Sequence, residues 1–277
     1  MLRSFSRALK GLLGTVREKS GIGDLWYNGV VLDPGATVVE IGALSGNIAL
    51  YACKAFGLSA VYAVEPLPSS YDVLVDNCKG SPVETINLAV GEKNEQVEFY
   101  ECEHPSSSGL FRTDSGTKSA RDSLSMRKTR VPCVTLTTLM KEHGIGTVDL
   151  LIMNCEGAEK FIFPEIARSR DLAAAIRQIS VEFHPKILGQ PTVLELIQLM
   201  YPRYDYRVIT RGIRGPINVV FTRRAQPVCG SPPLFVLRYW CASILELLWP
   251  AMKLLRKGIR KVLPHGQSYR PASLGRT

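Results

Sequence analysis

No C-x-x-C pair, no G-x-G-x-x-G fingerprint and no uninterrupted apolar stretch of membrane-spanning length occurs in this chain of 277 residues. Each absence closes a class. The seven cysteines, Cys53, Cys78, Cys102, Cys133, Cys155, Cys229 and Cys241, are an odd set lying mostly in apolar runs. They offer no readable zinc site or disulfide framework, so buried free thiols in a reducing, cytoplasmic setting are expected. No metal ligand set is assigned, although Glu156, Glu182 and His184 could also serve as oxygen and nitrogen ligands of a divalent ion. Arg3, Arg7 and Lys10 interrupt the apolar stretch that a secretory signal needs. Charge of one sign is also missing from the body: residues 21 to 225 carry 21 basic and 23 acidic side chains, although the whole chain is at +9. That removes the basic footprint of a nucleic-acid binder, and no nucleic-acid partner is expected.

The positive charge sits at the two ends, +4 over residues 1 to 20 and +7 over residues 226 to 277. Pro227, Gly230, Pro232 and Pro233 punctuate the boundary before the second of these. Three parts result: a basic amphipathic segment at 1–29, a body at 30–225 and a basic amphipathic tail at 226–277. On a helical wheel Arg238, Lys253, Arg256, Lys257, Arg260 and Lys261 oppose Leu237, Trp240, Ile244, Leu248, Leu255 and Ile259. Arg238 and Glu246 interrupt the apolar density from Leu234 to Trp249, which is short of the roughly 20 residues that a span requires. A basic face over Trp and Leu suits a helix lying in an anionic membrane interface, so peripheral attachment through residues 234–261 is expected. Packing of the tail on the body or on a second subunit is the alternative, and the oligomeric state stays open. The first 20 residues carry a similar stripe, and their Arg- and Ser-bearing, acid-poor composition also resembles an organellar transit peptide.

Within the body, short β-rich runs alternate with helical patterns, the signature of an α/β fold with a parallel sheet and crossover helices. Strands are expected at 37–41, 60–64, 83–90, 148–153 and 176–183. Helices are expected from Gly46 to Phe56, from Tyr71 to Cys78 behind a Ser69 or Ser70 cap, from Ala158 to Arg168 and from Thr192 to Tyr201. Two further strands, 96–102 and 130–136, flank a long Ser-, Gly- and Arg-rich stretch from His104 to Thr129. Its neighbourhood holds Lys118, Arg121, Arg127, Lys128 and Arg130, which suit either an anionic substrate or a solvated lid. Residues 206–210 and 217–222, joined by a turn-sized connection, form an antiparallel pair. His104, His143 and His265 fall in loop, helix-end and tail contexts and are read as solvated.

Ligands of open α/β sheets bind outside the carboxyl ends of the strands. Glu40-Ile-Gly-Ala-Leu-Ser-Gly46 follows the first strand, and Gly42 and Gly46 let the backbone turn tightly without side chains that hold a ligand away. Leu44 denies it the dinucleotide fingerprint. Glu40 just ahead of the turn repels a diphosphate and attracts a sulfonium or ammonium. The second strand ends in Glu65-Pro66, 19 residues past Gly46, where an acid accepts hydrogen bonds from ribose hydroxyls. Together Glu40, Gly42, Gly46 and Glu65 describe a pocket for an adenosine that carries positive charge, S-adenosylmethionine. Taken singly, each is also an ordinary glycine turn or loop acid.

Glu40-Ile-Gly-Ala-Leu-Ser-Gly46, Ala63-Val-Glu-Pro66, Val148-Asp-Leu-Leu-Ile-Met-Asn-Cys-Glu-Gly-Ala-Glu159 and Ile179-Ser-Val-Glu-Phe-His184 resemble, in order and spacing, the FkbM-type S-adenosylmethionine-dependent methyltransferases. The resemblance covers roughly residues 30 to 222 and is most specific at Cys155-Glu-Gly-Ala-Glu159. It implies a class I, Rossmann-like methyltransferase fold, a seven-stranded mostly parallel sheet with helices on both faces. It also implies methylation of a hydroxyl on a sugar, polyketide, lipid or similar small molecule. Two positions depart from the family's usual Asp: Asn154, which joins the cofactor set, and Thr137. Asn keeps the acceptor oxygen and gives up the charge.

Methyl transfer to a weakly acidic hydroxyl requires alignment and removal of a proton. Glu156, Glu182 and His184 are expected to converge as the catalytic group, with His184 as base and Glu182 as its orienter or a substrate partner. A polar cap on a strand end is the plainer reading of the same three residues. Two function classes follow: an O-methyltransferase, or a degenerate relative that binds cofactor or a partner at a membrane surface without turnover.

Overall fold

A computed structural model describes residues 21–102, 108–110, 127–210 and 216–228. Strands β1 (Thr37–Ile41), β2 (Ala60–Val64) and β3 (Val83–Ile86) form one half of the main sheet. The other half is β7 (Val148–Met153), β8 (Ile176–Phe183), β9 (Tyr204–Thr210) and β10 (Ile217–Arg223). The order is β3-β2-β1-β7-β8-β10-β9. The first five strands in that order run parallel, and β10 is antiparallel to both β8 and β9. This is the seven-stranded architecture that the resemblance implied. Central parallel strands are covered on both faces, which is why β1 and β7 read as almost unbroken apolar runs.

The helices are α1 (Ile22–Trp26), α2 (Asn47–Phe56), α3 (Pro68–Cys78), α4 (Leu136–Glu142), α5 (Glu159–Arg168), α6 (Arg170–Ala175), α7 (Pro185–Leu188) and α8 (Gln190–Met200). Against one face of the sheet, Trp26 and Tyr27 pack with Ala49, Ala52, Leu74 and the β1, β2 and β7 residues Val38, Ala63 and Leu150. On β8 and β10, Phe183 and Phe221 meet Phe163 of α5 at ring-centroid distances of 5.3 and 5.5 Å. Aromatic pairs at this separation add to the area they bury.

Four expectations change. The strand expected over 83–90 is two strands in two sheets: β3 stays in the main sheet, and β4 (Ala89–Val90) leaves it for a three-stranded sheet with β5 (Glu95–Glu101) and β6 (Arg127–Val134), ordered β4-β6-β5. Asn87 makes the break, donating to the Glu65 and Pro66 carbonyl oxygens at 2.8 and 3.2 Å. Next, β6 begins inside the stretch read as loop and pairs antiparallel with β5. Arg127, Lys128 and Arg130 are therefore strand residues, and Lys128 pairs with Glu98 at 2.7 Å. Third, β6 ends where Thr135 caps α4 by accepting from Thr138 N, a helix that its pattern had not revealed. Last, neither Ser69 nor Ser70 caps α3. Its N-cap is Leu67, and Pro68 occupies the first turn, where a missing N–H costs nothing.

No helix among the described residues is long and apolar enough to cross a membrane. The amphipathic tail, the first 20 residues, Lys118, Arg121, His104 and His265 lie outside the described residues.

Candidate active site

The site begins where β1 turns into α2. Gly42, Leu44 and Gly46 all have positive φ, at 83°, 51° and 78°. Gly42 is irreplaceable by geometry, since a Cβ there would overlap the carbonyl oxygen of Asn154 on the neighbouring strand end. Gly42 N and Ala43 N donate to Val64 O at 2.9 and 3.0 Å, and Asn154 N donates to Ile41 O at 3.0 Å. The ends of β1, β2 and β7 are thus laced together by backbone alone. Gly46 has another reason to be bare: a Cβ would press on Leu74 and Cys78 of α3.

Glu65, at the end of β2, fixes that turn. Its Oε2 accepts from Leu44 N at 2.8 Å and its Oε1 from Leu67 N at 3.0 Å. Burial raises its pKa, and these two N–H groups act against the rise. Each oxygen keeps a second lone pair, and the residue lines the cleft.

Beyond β7 the chain reverses sharply. Glu156 and Gly157 adopt φ of 47° and 104°. Glu159, fully buried in the first turn of α5, holds this loop by accepting from Gly157 N at 2.8 Å and Cys155 N at 3.4 Å. From the opposite side Gly109 lies so close that a Cβ would stand 2.9 Å from Glu156 Cβ. Gly109 is itself tied to Tyr100 of β5 by a reciprocal pair of backbone bonds at 2.9 and 3.1 Å.

The loop delivers Glu156 Oε1 to within 3.1 Å of His184 Nε2, and Glu182 Oε1 lies 3.5 Å from the same nitrogen. Glu182 is held in turn by Asn218 of β10, whose Nδ2 donates to Oε2 at 3.0 Å. Burial pushes the Glu156 carboxyl up to about 7, with Glu159 and Glu182 adding to the rise and His184 opposing it. Burial acts to lower the His184 pKa. The hydrogen bond with Glu182 and the charges of Glu156, Glu159 and Glu182 outweigh it, so the net shift is upward. The cluster thus favours the imidazolium form of His184 beside a carboxyl group that titrates near neutral pH.

An open cleft runs over these strand ends. Gly42, Leu44, Glu65, Asn154 and Glu156 line it, and Leu88, Val90, Phe99 and Leu110 bring an apolar wall from the side of the small sheet. Asn154 Oδ1 is buried without a hydrogen-bond partner. His184, Glu182, Glu40 and Gly46 are not among the lining residues. Glu40 points under α2 instead, 1% exposed, with neither oxygen hydrogen-bonded, and burial drives its pKa well up despite the nearby Ala49 N–H. Thr137, the second departure from the family pattern, takes no part in the cleft. Its N and Oγ1 donate to Glu165 Oε1 at 2.9 and 2.6 Å, a place where an Asp would meet a like charge. His143 is not simply solvated, because its Nδ1 lies 2.7 Å from Glu84.

Four features escaped sequence reasoning: Asn218, the loop clamp Glu159, Gly109 and the apolar wall. Only Glu159 left a trace, as an acid closing a motif at the start of a helical pattern. The others reach the site from strands and loops distant in sequence.

Residues 40–208 match the Methyltransferase FkbM domain family. The chain belongs to that family. Its cofactor is S-adenosylmethionine. The chain is similar to a solved FkbM methyltransferase from Methylobacillus flagellatus at 12% identity, over 73% of this chain and 48% of that one, with a TM-score of 0.48. The chain therefore spans about half the length of that relative. It is also similar to a precorrin-6y C5,15-methyltransferase from Geobacter metallireducens, at 11% identity over 76% and 91% of the two chains, with a TM-score of 0.43. M. capricolum TrmK, solved with S-adenosylhomocysteine, aligns at 9% identity over 93% and 88%, with a TM-score of 0.43. No curated protein matches. Among the described residues no group of His, Cys, Asp and Glu has the arrangement of a metal site.

The described residues fit the cofactor. Gly42 leaves the turn without a Cβ, Glu65 offers two unused lone pairs at the cleft, and Asn154 brings an unpartnered buried oxygen.

Proposed function

We propose that this protein is an S-adenosylmethionine-dependent O-methyltransferase acting on a hydroxyl of a small molecule, sugar or lipid. The observation that carries the reading is the Glu156–His184 pair, 3.1 Å apart, with Glu156 on the cleft wall. A hydroxyl is a poor nucleophile until its proton is accepted, and a base with a pKa near the working pH is the efficient acceptor. Glu156 at about 7 meets that requirement. Bound cofactor supplies an electrophilic methyl group on a sulfonium. Glu65 holds the ribose hydroxyls, Gly42 admits the ligand close to the backbone, and Asn154 orients polar atoms beside it. Glu156 takes the hydroxyl proton, and His184 stabilises the carboxylate before it does so. The role of base, expected at His184 with Glu182 as its orienter, passes in this reading to Glu156, and His184 becomes its partner.

The test is incubation of the protein with methyl-labelled S-adenosylmethionine and a metabolite and lipid extract of its source. Label recovered as a methoxy group supports the proposal, and label on nitrogen or carbon overturns it. Cofactor binding with no label transferred to any acceptor favours the second reading, a binding protein without turnover, for which uncharged Asn154 is the supporting feature.

Peripheral attachment to anionic lipid through residues 234–261 is a separate proposal, supported by the amphipathic pattern and by the net charge of the tail, +7 over residues 226 to 277. Full-length protein should float with anionic liposomes at low salt, and a chain ending at Arg224 should not. Equal behaviour of the two would leave the tail as a packing element.

A further inference from the structure

Strand β10 reads Ile217, Asn218, Val219, Val220, Phe221, and its four residues from Asn218 to Phe221 are buried. An amide in that run is costly. Its Oδ1 has no hydrogen-bond partner, and a buried polar atom left unpaired costs about 1 to 3 kcal/mol, which a leucine of similar volume would avoid. Nothing in the packing of β10 asks for it. What it does is specific: in the antiparallel register Asn218 stands directly opposite Glu182 of β8, and its Nδ2 occupies Glu182 Oε2 at 3.0 Å.

A glutamate anchored at one oxygen presents the other in a defined direction. Glu182 Oε1 lies 3.5 Å from His184 Nε2, and that nitrogen lies 3.1 Å from Glu156 Oε1. A continuous line of polar contacts thus runs from Asn218 inside the sheet to Glu156 on the cleft wall. We propose that Asn218 is a positioning residue for methyl transfer, its amide holding Glu182 Oε2 so that Oε1 keeps His184 on Glu156. This rests on the reading of Glu156 as the base. The charged groups that face His184 are Glu156 from the loop after β7, Glu159 from α5 and Glu182 from its own strand end. Asn218 bears on His184 through Glu182.

The experiment is a pH titration of the four histidines in ring-labelled protein by nuclear magnetic resonance. His184→Gln assigns the signal, and Asn218→Leu and Asn218→Ser are the variants. Without the Asn218 donor, Glu182 holds a proton more readily and its direction is less well fixed. The His184 midpoint should then fall by about half a pH unit or more in both variants. Asn218→Leu removes the orphaned oxygen and also takes a donor from buried Glu182, so its melting temperature serves as the check that the variant is folded. An unmoved midpoint in a folded variant overturns the proposal, as does a lower melting temperature with His184 titrating as before, which is the mark of a purely structural amide. The titration needs no ligand. Calorimetry with S-adenosylhomocysteine on the same wild-type sample therefore tests the proposed function independently: failure to bind would sink that reading and leave the role of Asn218 to the titration.

Discussion

Glu156 Oε1 and His184 Nε2 are 3.1 Å apart, and of the two residues Glu156 is the one that lines the cleft. A base must reach the proton it removes before its pKa matters. Glu156→Gln should therefore lower turnover by about 100- to 10,000-fold, the usual range for loss of a general base, with cofactor affinity nearly intact. His184→Ala should act differently. Removing the imidazolium takes away the group that holds the Glu156 pKa down, so the lower limb of the rate profile should move to higher pH and part of the activity should return there. Methyl transfer followed from pH 6 to 9 in both variants checks the division of roles. Full activity in Glu156→Gln would end it.

Glu65 holds the turn and, in the proposed function, the ribose as well, so its substitutions should report on both. Glu65→Ala removes the acceptor for Leu44 N and Leu67 N as well as the ribose contacts. Hydrogen bonds to a charged group are worth about 1.5 to 3 kcal/mol each, so two lost ribose bonds should weaken S-adenosylhomocysteine by at least about 100-fold. Glu65→Gln keeps the shape and one acceptor oxygen but sets its NH2 against one of the two backbone N–H groups, so it should melt below wild type and above Glu65→Ala while also binding more weakly. Calorimetry and thermal melts on both variants give the two readouts. Unchanged affinity in Glu65→Ala would remove it from the ribose.

The strands, their parallel course and the final antiparallel pair were legible because buried strands announce themselves as short apolar runs such as Thr37–Ile41 and Val148–Met153. Residues at strand ends, Gly42, Glu65, Asn154 and Glu156, were legible for the same reason: a strand that can be located has an end that can be located. Three things were not. Val83 to Val90 reads as one run because both sheets bury the same residue types, and only Asn87, bonded to the carbonyls of Glu65 and Pro66, marks the exchange. The direction a side chain takes at a strand end was also hidden: Glu40, expected in the cofactor pocket, is 1% exposed and is not among the cleft-lining residues. Asn218 gave no signal, since its meaning lies in the residue across the ladder.

The glycine turn gives a prediction about stability. Gly42→Ala combines a positive φ of 83° with a Cβ overlapping the Asn154 carbonyl, an atom with no freedom to retreat because Asn154 N is bonded to Ile41 O. Strain at special backbone positions and overpacking each cost about 1 to 3 kcal/mol. Urea denaturation should show a loss of about 2 to 6 kcal/mol, the two costs together, along with weakened cofactor binding. At Gly35, where φ is 85° and a Cβ meets nothing within 4 Å, alanine should cost distinctly less. Equal losses at the two positions would mean that the close approach of the two strand ends contributes nothing.

The acid cluster also sets how stability varies with pH. Glu156 rises from 4.5 to about 7 on folding, and His184 rises from 6.5. Groups whose pKa is raised in the folded state bind more protons there than in the unfolded chain, and stability then falls as pH increases. For Glu156 the fall runs from about pH 4.5 to 7; for His184 it begins near 6.5 and continues through its raised pKa. At about 1.4 kcal/mol per pH unit, the contribution of Glu156 alone is on the order of 3 kcal/mol. Glu156→Gln deletes that contribution and leaves an uncharged side chain of the same size, at the cost of the partner of His184. Its melting temperature should accordingly be flatter than that of wild type between pH 5 and 8. The two curves should separate most at the alkaline end, where wild type carries an ionised carboxylate buried beside Glu159 and Glu182. Thermal melts at unit pH intervals make the comparison. Parallel curves would show that Glu156 titrates alike in the folded and unfolded chain, and with that the argument for a base tuned by its surroundings would fail.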